Sequence, residues 1–443
     1  MKKIALVSLG CDKNLVDTEV VLGKLLSRGY NFFSSPEEAE ILILNTCSFI
    51  EEACRETESW IEKLSSLKEN HPFQKLVVMG CYAQRWGKEK SFVYPAVDYW
   101  VGVNDFPFIV DIIEGKFLGK YFLDSPPFLY HHETERVLST PSHYAYLKIA
   151  EGCNHHCSFC LIPSIRGPLR SRTMESIEKE ALNLVSQGVK EIILVAQDLS
   201  SYGLDLYHRR MLSSLLRRLD EILPPGVWLR LLYFSPEGLD SEFVRTVRES
   251  SHLVKYLDIP LQHVDSTVLQ NMRRPSSIEE IREKLENLRE NVPSIFLRTT
   301  FLVGFPGEDE KAFQRLIDFV KDFRFERMGA FIYSESPDAP SALLYPKVEE
   351  KVKKERYQML MEVQEKVMRE FHNSLVGQEL EVIVDEVSLK KGVTHSWGRT
   401  YGDAPEVDGK ISFSSRGDRL KRGEIVKVRV TKSSSYELKG EKI

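Results

Sequence analysis

Three cysteines in C-x-x-x-C-x-x-C spacing are the residues of this chain that point most directly to chemistry. Cys153, Cys157 and Cys160 follow an apolar, strand-like run from Tyr144 to Ala150. Three thiolates at this spacing can each bind one iron of a cubane iron–sulfur cluster and leave the fourth iron without a protein ligand. Because an electron-transfer cluster normally takes four cysteines, the open iron indicates a cluster that binds a small molecule. The amine and carboxylate at the methionine end of S-adenosylmethionine can chelate such an iron.

Two other uses of these cysteines are open to the same sequence. A zinc ion could take them together with His155 or His156, but structural zinc pairs usually come as C-x-x-C with a second pair further along, which this chain lacks. A redox disulfide normally uses C-x-x-C alone. The sequence therefore favours the open cluster.

Length and composition limit the kinds of protein this chain can be. Its 443 residues predict two or three domains. With 42% hydrophobic and 28% charged residues and no apolar run long enough to cross a bilayer, we expect a soluble protein without a membrane segment. Met1 to Cys11 superficially imitates a lipoprotein signal, but its apolar stretch is too short. Seven cysteines, an odd number, indicate a reducing cytoplasm, and a net charge of −5 gives no general case for nucleic-acid binding.

The N-terminal third predicts an open parallel α/β sheet with a second three-cysteine site. Strand-like runs alternate with helical patterns, and each of the three runs ends near a cysteine. The carboxyl ends of parallel strands meet at one edge, so Cys11, Cys47 and Cys81 should converge there. The alternative is three buried cysteines that act as small apolar residues. Cys54 falls within a helical pattern and is predicted to pack in the core. The predicted strands are 4–9, 41–44 and 76–79, and the predicted helices are 15–26 and 48–67.

Six β/α repeats follow and predict a partial (β/α)6 barrel with chemistry at the carboxyl ends of its strands. Polar residues follow three of these strands: Gln197 and Asp198, Gln262 and His263, and the stretch from Gly304 to Glu308. Each of them could equally cap a helix or form a turn. The predicted strands are 145–149, 191–196, 227–233, 256–261, 295–303 and 327–333, and the predicted helices are 174–187, 209–223, 240–250, 277–291 and 308–323.

Charged segments after the cluster loop and in the tail each have two interpretations. Arg166, Arg170 and Arg172 could hold a carboxylate or an acidic substrate, or could form a solvated basic face. The charged helical stretch 349–371 precedes short β-like runs at 379–384, 410–413 and 425–431, which predict a small β-barrel. Between residues 416 and 432, seven basic residues face Asp418 and Glu424. That stripe could contact RNA phosphates or be an ordinary surface.

The order of these parts resembles the methylthiotransferases of the radical SAM superfamily. The resemblance rests on Gly10 to Asn14 with Asp17 and Glu19, on Asn45-Thr46-Cys47, on Gly80-Cys81 and on the Cys153 to Cys160 loop with Phe159. It implies an N-terminal methylthiotransferase domain (1–124), a TIM-type radical SAM barrel (135–370) and a small antiparallel barrel called TRAM (371–440).

Within that family, one branch modifies an isopentenyladenosine of transfer RNA. The other modifies an aspartate of the decoding-centre protein of the small ribosomal subunit. Several segments resemble the second branch, although Ser336 to Ala339 departs from the Gly-Thr pair usual in the family, which leaves the shape of that loop open. The segments are 196–199 with 202–203, 259–263, 298–300, 303–308 and 398–409.

The resemblance implies two [4Fe-4S] clusters and S-adenosylmethionine, with radical chemistry carried by these cofactors and no catalytic side chain. The metal ligands implied are Cys11, Cys47, Cys81, Cys153, Cys157 and Cys160. The implied S-adenosylmethionine contacts are Phe159, Gln197, Asp198, Gln262, Arg298 and Gly304. Implied partners are the decoding-centre protein or its subunit, an electron donor such as flavodoxin, and RNA through TRAM; no membrane is expected.

Overall fold

The computed structural model describes residues 2–33, 35–274, 277–390, 393–416 and 419–443. The chain forms two compact units. The first comprises Met1–Ser139, Ala150–Arg172 and Ser334–Ala339, and the second comprises Thr140–Ile149, Thr173–Tyr333 and Pro340–Ile443. All six cysteines that the sequence predicts as cluster ligands therefore belong to the first unit.

The first unit contains a six-stranded, wholly parallel sheet with strand order β2-β1-β3-β4-β5-β6. Its strands are β1 (Lys3–Ser8), β2 (Asn31–Phe32), β3 (Ile41–Thr46), β4 (Lys75–Gly80), β5 (Tyr99–Val101) and β6 (Tyr121–Phe122). Its helices are α1 (Asp12–Ser27), α2 (Glu51–Asn70), α3 (Cys81–Lys90) and α4 (Ile109–Ile113). The open parallel sheet predicted from the sequence is confirmed, and three strands of two or three residues extend it.

Strand register explains how distant cysteines come to one edge of this sheet. Ser8 of β1 lies opposite Asn45 of β3, and Thr46 of β3 lies opposite Gly80 of β4. The three strands therefore end together, and the residues that follow them share that edge. Behind it, apolar side chains of β1, β3 and β4 pack with α2 and α3, and Cys54 of α2 is part of this core, as predicted.

The chain next passes through the loop that contains Cys153, Cys157 and Cys160. Strand β7 (Tyr144–Lys148) precedes β8 (Ala150–Glu151), and α5 (Ile162–Arg166) precedes β9 (Arg170–Ser171). β8 and β9 form a short antiparallel pair, Glu151 opposite Arg170, which closes the base of the loop.

The second unit contains an open six-stranded parallel sheet in the order β14-β13-β12-β11-β10-β7. This arrangement confirms the predicted partial barrel. A short helix, α9, is additional to the prediction. The elements are β10 (Glu191–Val195), β11 (Trp228–Leu231), β12 (Leu253–Asp258), β13 (Phe296–Val303) and β14 (Arg327–Ile332), with α6 (Met174–Ser186), α7 (Leu212–Ile222), α8 (Ser241–Glu249), α9 (Ser266–Asn271), α10 (Ile278–Asn291) and α11 (Glu310–Phe323).

The same unit ends with the long helix α12 (Glu350–Ser374) and a closed five-stranded barrel. Its strands are β15 (Glu379–Lys390), β16 (Val393–Thr400), β17 (Lys410–Arg416), β18 (Ile425–Ser433) and β19 (Glu437–Lys442). The expectation of a purely antiparallel barrel is wrong in one pair, since β17 and β19 run parallel. The sequence did not reveal β16 and β19 because polar and glycine residues interrupt their apolar alternation.

Single turns of 3₁₀ helix lie at Pro36–Glu38, Phe106–Phe108, Leu199–Ser201, Pro236–Gly238 and Pro340–Leu343. Across the described ranges, every helix is too short or too polar to cross a membrane.

Candidate metal centre

Cys11, Cys47 and Cys81 each follow one of three neighbouring strands, at one edge of the first unit's sheet. Cys11 directly precedes α1, Cys47 follows β3, and Cys81 begins α3 immediately after β4. A Cβ added to Gly10 (φ +89°) would lie 2.8 Å from the Cβ of Cys47 and 3.1 Å from its Sγ, so only glycine allows this approach. Burial raises the pKa of the Cys47 thiol to about 12, and the neighbouring thiols of Cys81 and Cys11 add to that rise.

Amide and hydroxyl side chains hold these loops together. Asn14 donates from Nδ2 to the carbonyl oxygens of Leu9 (3.0 Å) and Thr46 (2.8 Å). Asn45 donates from Nδ2 to the carbonyl oxygen of Asn14 (2.9 Å), and Thr46 donates from Oγ1 to that of Met79 (2.5 Å). The residues that surround the cysteines in the sequence motifs therefore fix the relative positions of the three loops.

The loop of Cys153, Cys157 and Cys160 is shaped by its own backbone. The amide of Cys160 donates to the carbonyl oxygen of Cys157 (3.1 Å), and the amide of Cys153 donates to that of Gly167 (3.1 Å). Backbone amides of His155 and Ile162 point at the sulfurs of Cys153 and Cys160, each at 3.4 Å. Amide donors to sulfur stabilise thiolates, which are the ligands that iron requires.

Arg166 connects the two groups of cysteines. It ends α5, just after the Cys153 loop, and its side chain is 3% exposed. Its Nη1 donates to Asp17 Oδ2 (2.7 Å) and Glu151 Oε2 (3.1 Å). Its Nη2 donates to Asn14 Oδ1 (2.6 Å) and lies 3.3 Å from Cys81 Sγ. Arg166, which follows one group of three cysteines in the chain, thus contacts a candidate ligand of the other group.

The electrostatic surroundings of this arginine favour its charged form. Burial by itself lowers the pKa of Arg166, but the Cys81 sulfur and the carboxylates of Glu151 and Asp17 outweigh it and raise that pKa. Burial raises the pKa of the Cys81 thiol, and the Arg166 cation opposes that rise. The interpretation as a solvated basic face is therefore wrong for Arg166, and Arg172, stacked on Tyr130, is buried as well.

The donor set fits iron–sulfur clusters. All seven cysteines are free of disulfides, and the six predicted ligands are exposed or partly exposed while Cys54 is buried. Within the part of the chain that the structure describes, no three His, Cys, Asp or Glu side chains converge on one point as ligands of a single ion would. The ligands of a cubane bind separate irons and lie further apart than the ligands of a single ion, and three cysteines at each site are the number and kind of ligand that such a cluster takes.

The segment 334–339, where the sequence departs from the family pattern, belongs to the first unit. Asp338 Oδ2 accepts hydrogen bonds from Arg85 Nε (2.9 Å) and Nη2 (2.6 Å), and Ser336 Oγ accepts another (2.5 Å). Arg85 also donates to the carbonyl oxygen of Ser48, beside Cys47 (3.2 Å). Ala339 packs with Val103 in a small apolar cluster that Cys81 touches. The unusual loop therefore supports the cysteine edge.

Most of the predicted cofactor residues of the second unit lie after its strands, whereas Arg298 lies within β13. Asp198, which follows β10 after Gln197, caps the turn Leu199–Ser201 by accepting from the Ser200 amide (2.9 Å). Gln262 has φ +71°, and its backbone pairs with Thr300 (2.9 Å) and Leu302 (2.7 Å) of β13. Phe159, in the first unit, is partly buried.

Gly304 follows β13 and belongs to a buried network. Its amide donates to Glu308 Oε2 (2.9 Å), whose other oxygen accepts from Arg356 (2.8 Å). His263 Nε2 lies 3.3 Å from the same carboxylate. The Nδ1 of His263 accepts the Asp265 amide (3.0 Å), so this histidine is held in a structural network.

Arg298 lies near the start of β13 and is paired within the protein. Its Nη1 donates to Asp258 Oδ1 (3.1 Å) and its Nε to Asp408 Oδ1 (3.3 Å). Asp408 also accepts from Tyr256 Oη (2.7 Å), and Arg327 donates to Asp403 (2.6 Å). These pairs join the partial barrel to the terminal β-barrel, a role that sequence reasoning missed because nothing in the spacing links these residues.

Models of three known families match different parts of the chain. The radical SAM superfamily matches residues 147–320, the uncharacterized protein family UPF0004 matches residues 3–102, and the TRAM domain matches residues 376–443. A protein of Geotalea uraniireducens named ribosomal protein uS12 methylthiotransferase RimO is 43% identical over 99% of this chain and 98% of its own length. A protein of the same name from a Thermoanaerobacter species is 42% identical over the full length of both chains.

Solved structures support the fold. The radical S-adenosylmethionine methyltransferase TsrM of Kitasatospora setae, with cobalamin and a [4Fe-4S] cluster bound, aligns with a TM-score of 0.57 at 14% identity. The alignment covers 77% of this chain and 74% of TsrM. The cobalamin-dependent radical enzyme OxsB aligns with a TM-score of 0.55 at 12% identity and covers 83% of this chain and 56% of OxsB. At such identities the likeness concerns the fold alone.

Proposed function

Since this chain belongs to the RimO family of radical SAM methylthiotransferases, we propose that it inserts sulfur and a methyl group at the β-carbon of an aspartate in ribosomal protein uS12. Identity above 40% over the whole chain supports this branch of the family over the transfer-RNA branch. The structural observation that carries the proposal is that one compact unit contains both groups of three cysteines.

The cysteines divide between two [4Fe-4S] clusters. Cys153, Cys157 and Cys160 would hold the first and leave one iron for S-adenosylmethionine. The second would be held by Cys11, Cys47 and Cys81, which lie together at the sheet edge. When bound, the two clusters and S-adenosylmethionine together supply the radical, the sulfur and the methyl group that the modification of an unactivated carbon requires.

The protein's own residues position these groups. Asn14, Asn45 and Thr46 fix the loops of the second cluster, and backbone amides support the sulfurs of the first. Gln197, Asp198, Gln262 and Gly304, at the carboxyl ends of strands, and Phe159 in the cluster loop remain our proposed contacts for S-adenosylmethionine. Arg298, implied by the family resemblance, also remains a proposed contact, and its side chain is paired with Asp258 and Asp408.

Finer features of the proposal concern partners and location. We propose that the terminal barrel contacts RNA while the enzyme binds uS12. Exposed cations of this barrel support the proposal; they include Arg419, Lys421, Arg422 and Lys427. The side chain of Arg416 and all of Asp418 lie outside the described residues. We further propose a cytoplasmic location and an electron donor such as flavodoxin.

The test is a substrate competition under anaerobic conditions. The protein is reconstituted with iron and sulfide, reduced, and given S-adenosylmethionine together with uS12 and an isopentenyladenosine transfer RNA. Mass spectrometry then locates the methylthio group. A modified aspartate in uS12 supports the proposal, and a modified adenosine moves the protein to the transfer-RNA branch. Absence of both products, with 5′-deoxyadenosine formed, contradicts both substrates.

A further inference from the structure

Arg166 is a buried cation that none of the proposed ligand or cofactor roles uses. It ends α5, which follows the loop of one three-cysteine site, and contacts a cysteine of the other site at 3.3 Å. The contact is specific, because Nη2 is shared between Cys81 Sγ and Asn14 Oδ1 while Nη1 is held by Asp17 and Glu151. Four partners leave the guanidinium little freedom to turn away from the sulfur.

We propose that Arg166 is a positioning residue that donates a charged hydrogen bond to the Cys81 sulfur and thereby raises the reduction potential of the second cluster. The inference rests on the proposed function, since it requires Cys81 to be a cluster ligand. Reduction adds one electron to the cluster and increases the negative charge on its sulfurs. A nearby cation and N–H donor stabilise that state more than the oxidised state.

The anchors of Arg166 explain how the donor stays in place. Asp17 and Asn14 belong to α1, which begins directly after Cys11, and Glu151 belongs to β8 at the base of the Cys153 loop. The guanidinium therefore contacts elements that closely follow or precede predicted ligands of both clusters.

The test measures the potential of the second cluster alone. The full-length chain carrying C153A, C157A and C160A is reconstituted, and the remaining cluster is titrated with reductant and followed by electron paramagnetic resonance. In this background R166Q should shift the reduction equilibrium about tenfold toward the oxidised cluster, which corresponds to about 59 mV for one electron. R166K keeps the charge and should restore part of the shift.

Two further variants separate this role from folding. R166Q leaves Asp17 and Glu151 buried without their cation, which can prevent folding. D17N/R166Q removes one charge of each sign, and its comparison with D17N isolates the arginine. R170Q is the matched control, because it removes a cation four positions further along the chain, whose Nη1 donates to the carbonyl oxygens of Arg166 and Pro168. It should leave the potential unchanged.

The outcomes distinguish the inference from the proposed function. Equal potentials in D17N and D17N/R166Q, with full cluster content, overturn the role of Arg166 and leave the two-cluster assignment standing. A background variant that folds but binds no cluster overturns the second cluster itself. A lower potential in D17N/R166Q than in D17N, with R170Q unchanged, supports the inference.

Discussion

Arg85 and Asp338 form a two-pronged ion pair, with Nε–Oδ2 and Nη2–Oδ2 distances of 2.9 and 2.6 Å, across 253 positions of the chain. Arg85 stacks on Trp86 and donates to the carbonyl oxygen of Ser48. The segment that departs from the family pattern thus holds the helix that begins at Cys81 and the loop that follows Cys47.

Removing this pair should loosen the first unit. D338A should lower the free energy of unfolding by about 1 kcal/mol, because the pair is two-pronged but partly exposed. Chemical denaturation of the cluster-free chain measures it. In an R85Q background, D338A should lower the free energy of unfolding much less. An equal decrease in both backgrounds would show that Asp338 does not act through Arg85.

The two three-cysteine sites should fail in different ways. C153A should abolish formation of 5′-deoxyadenosine, whereas C47A should retain it and stop methylthio transfer. Each variant should lose about half of the bound iron after reconstitution, because each removes one of two clusters. C54A, which changes a buried core cysteine, is the control and should retain all the iron. Methylthio product from C47A would contradict the assignment of the second cluster.

Gly304 should tolerate no side chain. It has φ +77°, and an added Cβ would lie 2.3 Å from Lys353 Cγ. G304A should therefore destabilise the chain by about 1–3 kcal/mol. Gly226 has φ +80° with open space around it, so G226A measures the backbone strain alone. Equal thermal shifts in the two variants would mean that Lys353 moves aside without cost.

Acid should destabilise the packing of α12 against β14, because His372 of α12 contacts Arg327 of β14. Burial lowers the pKa of His372, and Arg327 Nη1, which lies 3.1 Å from Nε2, lowers it further. The unfolded chain therefore binds a proton first, from pH 6.5 downward, and stability is lost as the pH falls from there to the folded pKa. The loss is at most about 1.4 kcal/mol per pH unit.

The denaturation midpoint measured between pH 8 and pH 5 checks this expectation. H372N, which cannot titrate, should show a shallower pH dependence than the native chain. Parallel curves for the two proteins would show that His372 does not contribute to the acid sensitivity.

The convergence of Cys11, Cys47 and Cys81 could be predicted because it follows from topology: parallel strands that end in register bring their following residues together. The structure shows this register, since Thr46 at the end of β3 lies opposite Gly80 at the end of β4. The two- and three-residue strands β2, β5 and β6 could not be predicted, since so few residues show no periodicity.

Contacts between side chains that are distant in the sequence could not be predicted from it. The sequence marks Arg166 as a cation that could hold a carboxylate, and it does hold Asp17 and Glu151, but its contact with Cys81 depends on how α5 packs. The motif of Arg298 predicts a cofactor contact, but its pairing with Asp408 depends on where the terminal barrel docks. Both depend on tertiary placement that local pattern does not encode.

The most direct test of the central claim follows the hydrogen atoms of the target. Protein uS12 is prepared with aspartate that carries two deuterium atoms on its β-carbon, and the reconstituted enzyme is allowed to modify it. Tandem mass spectrometry should find one aspartate that has gained a methylthio group and kept only one of its two β-deuterium atoms. A methylthio group on a residue that keeps both, or modification of another residue type, would contradict the account.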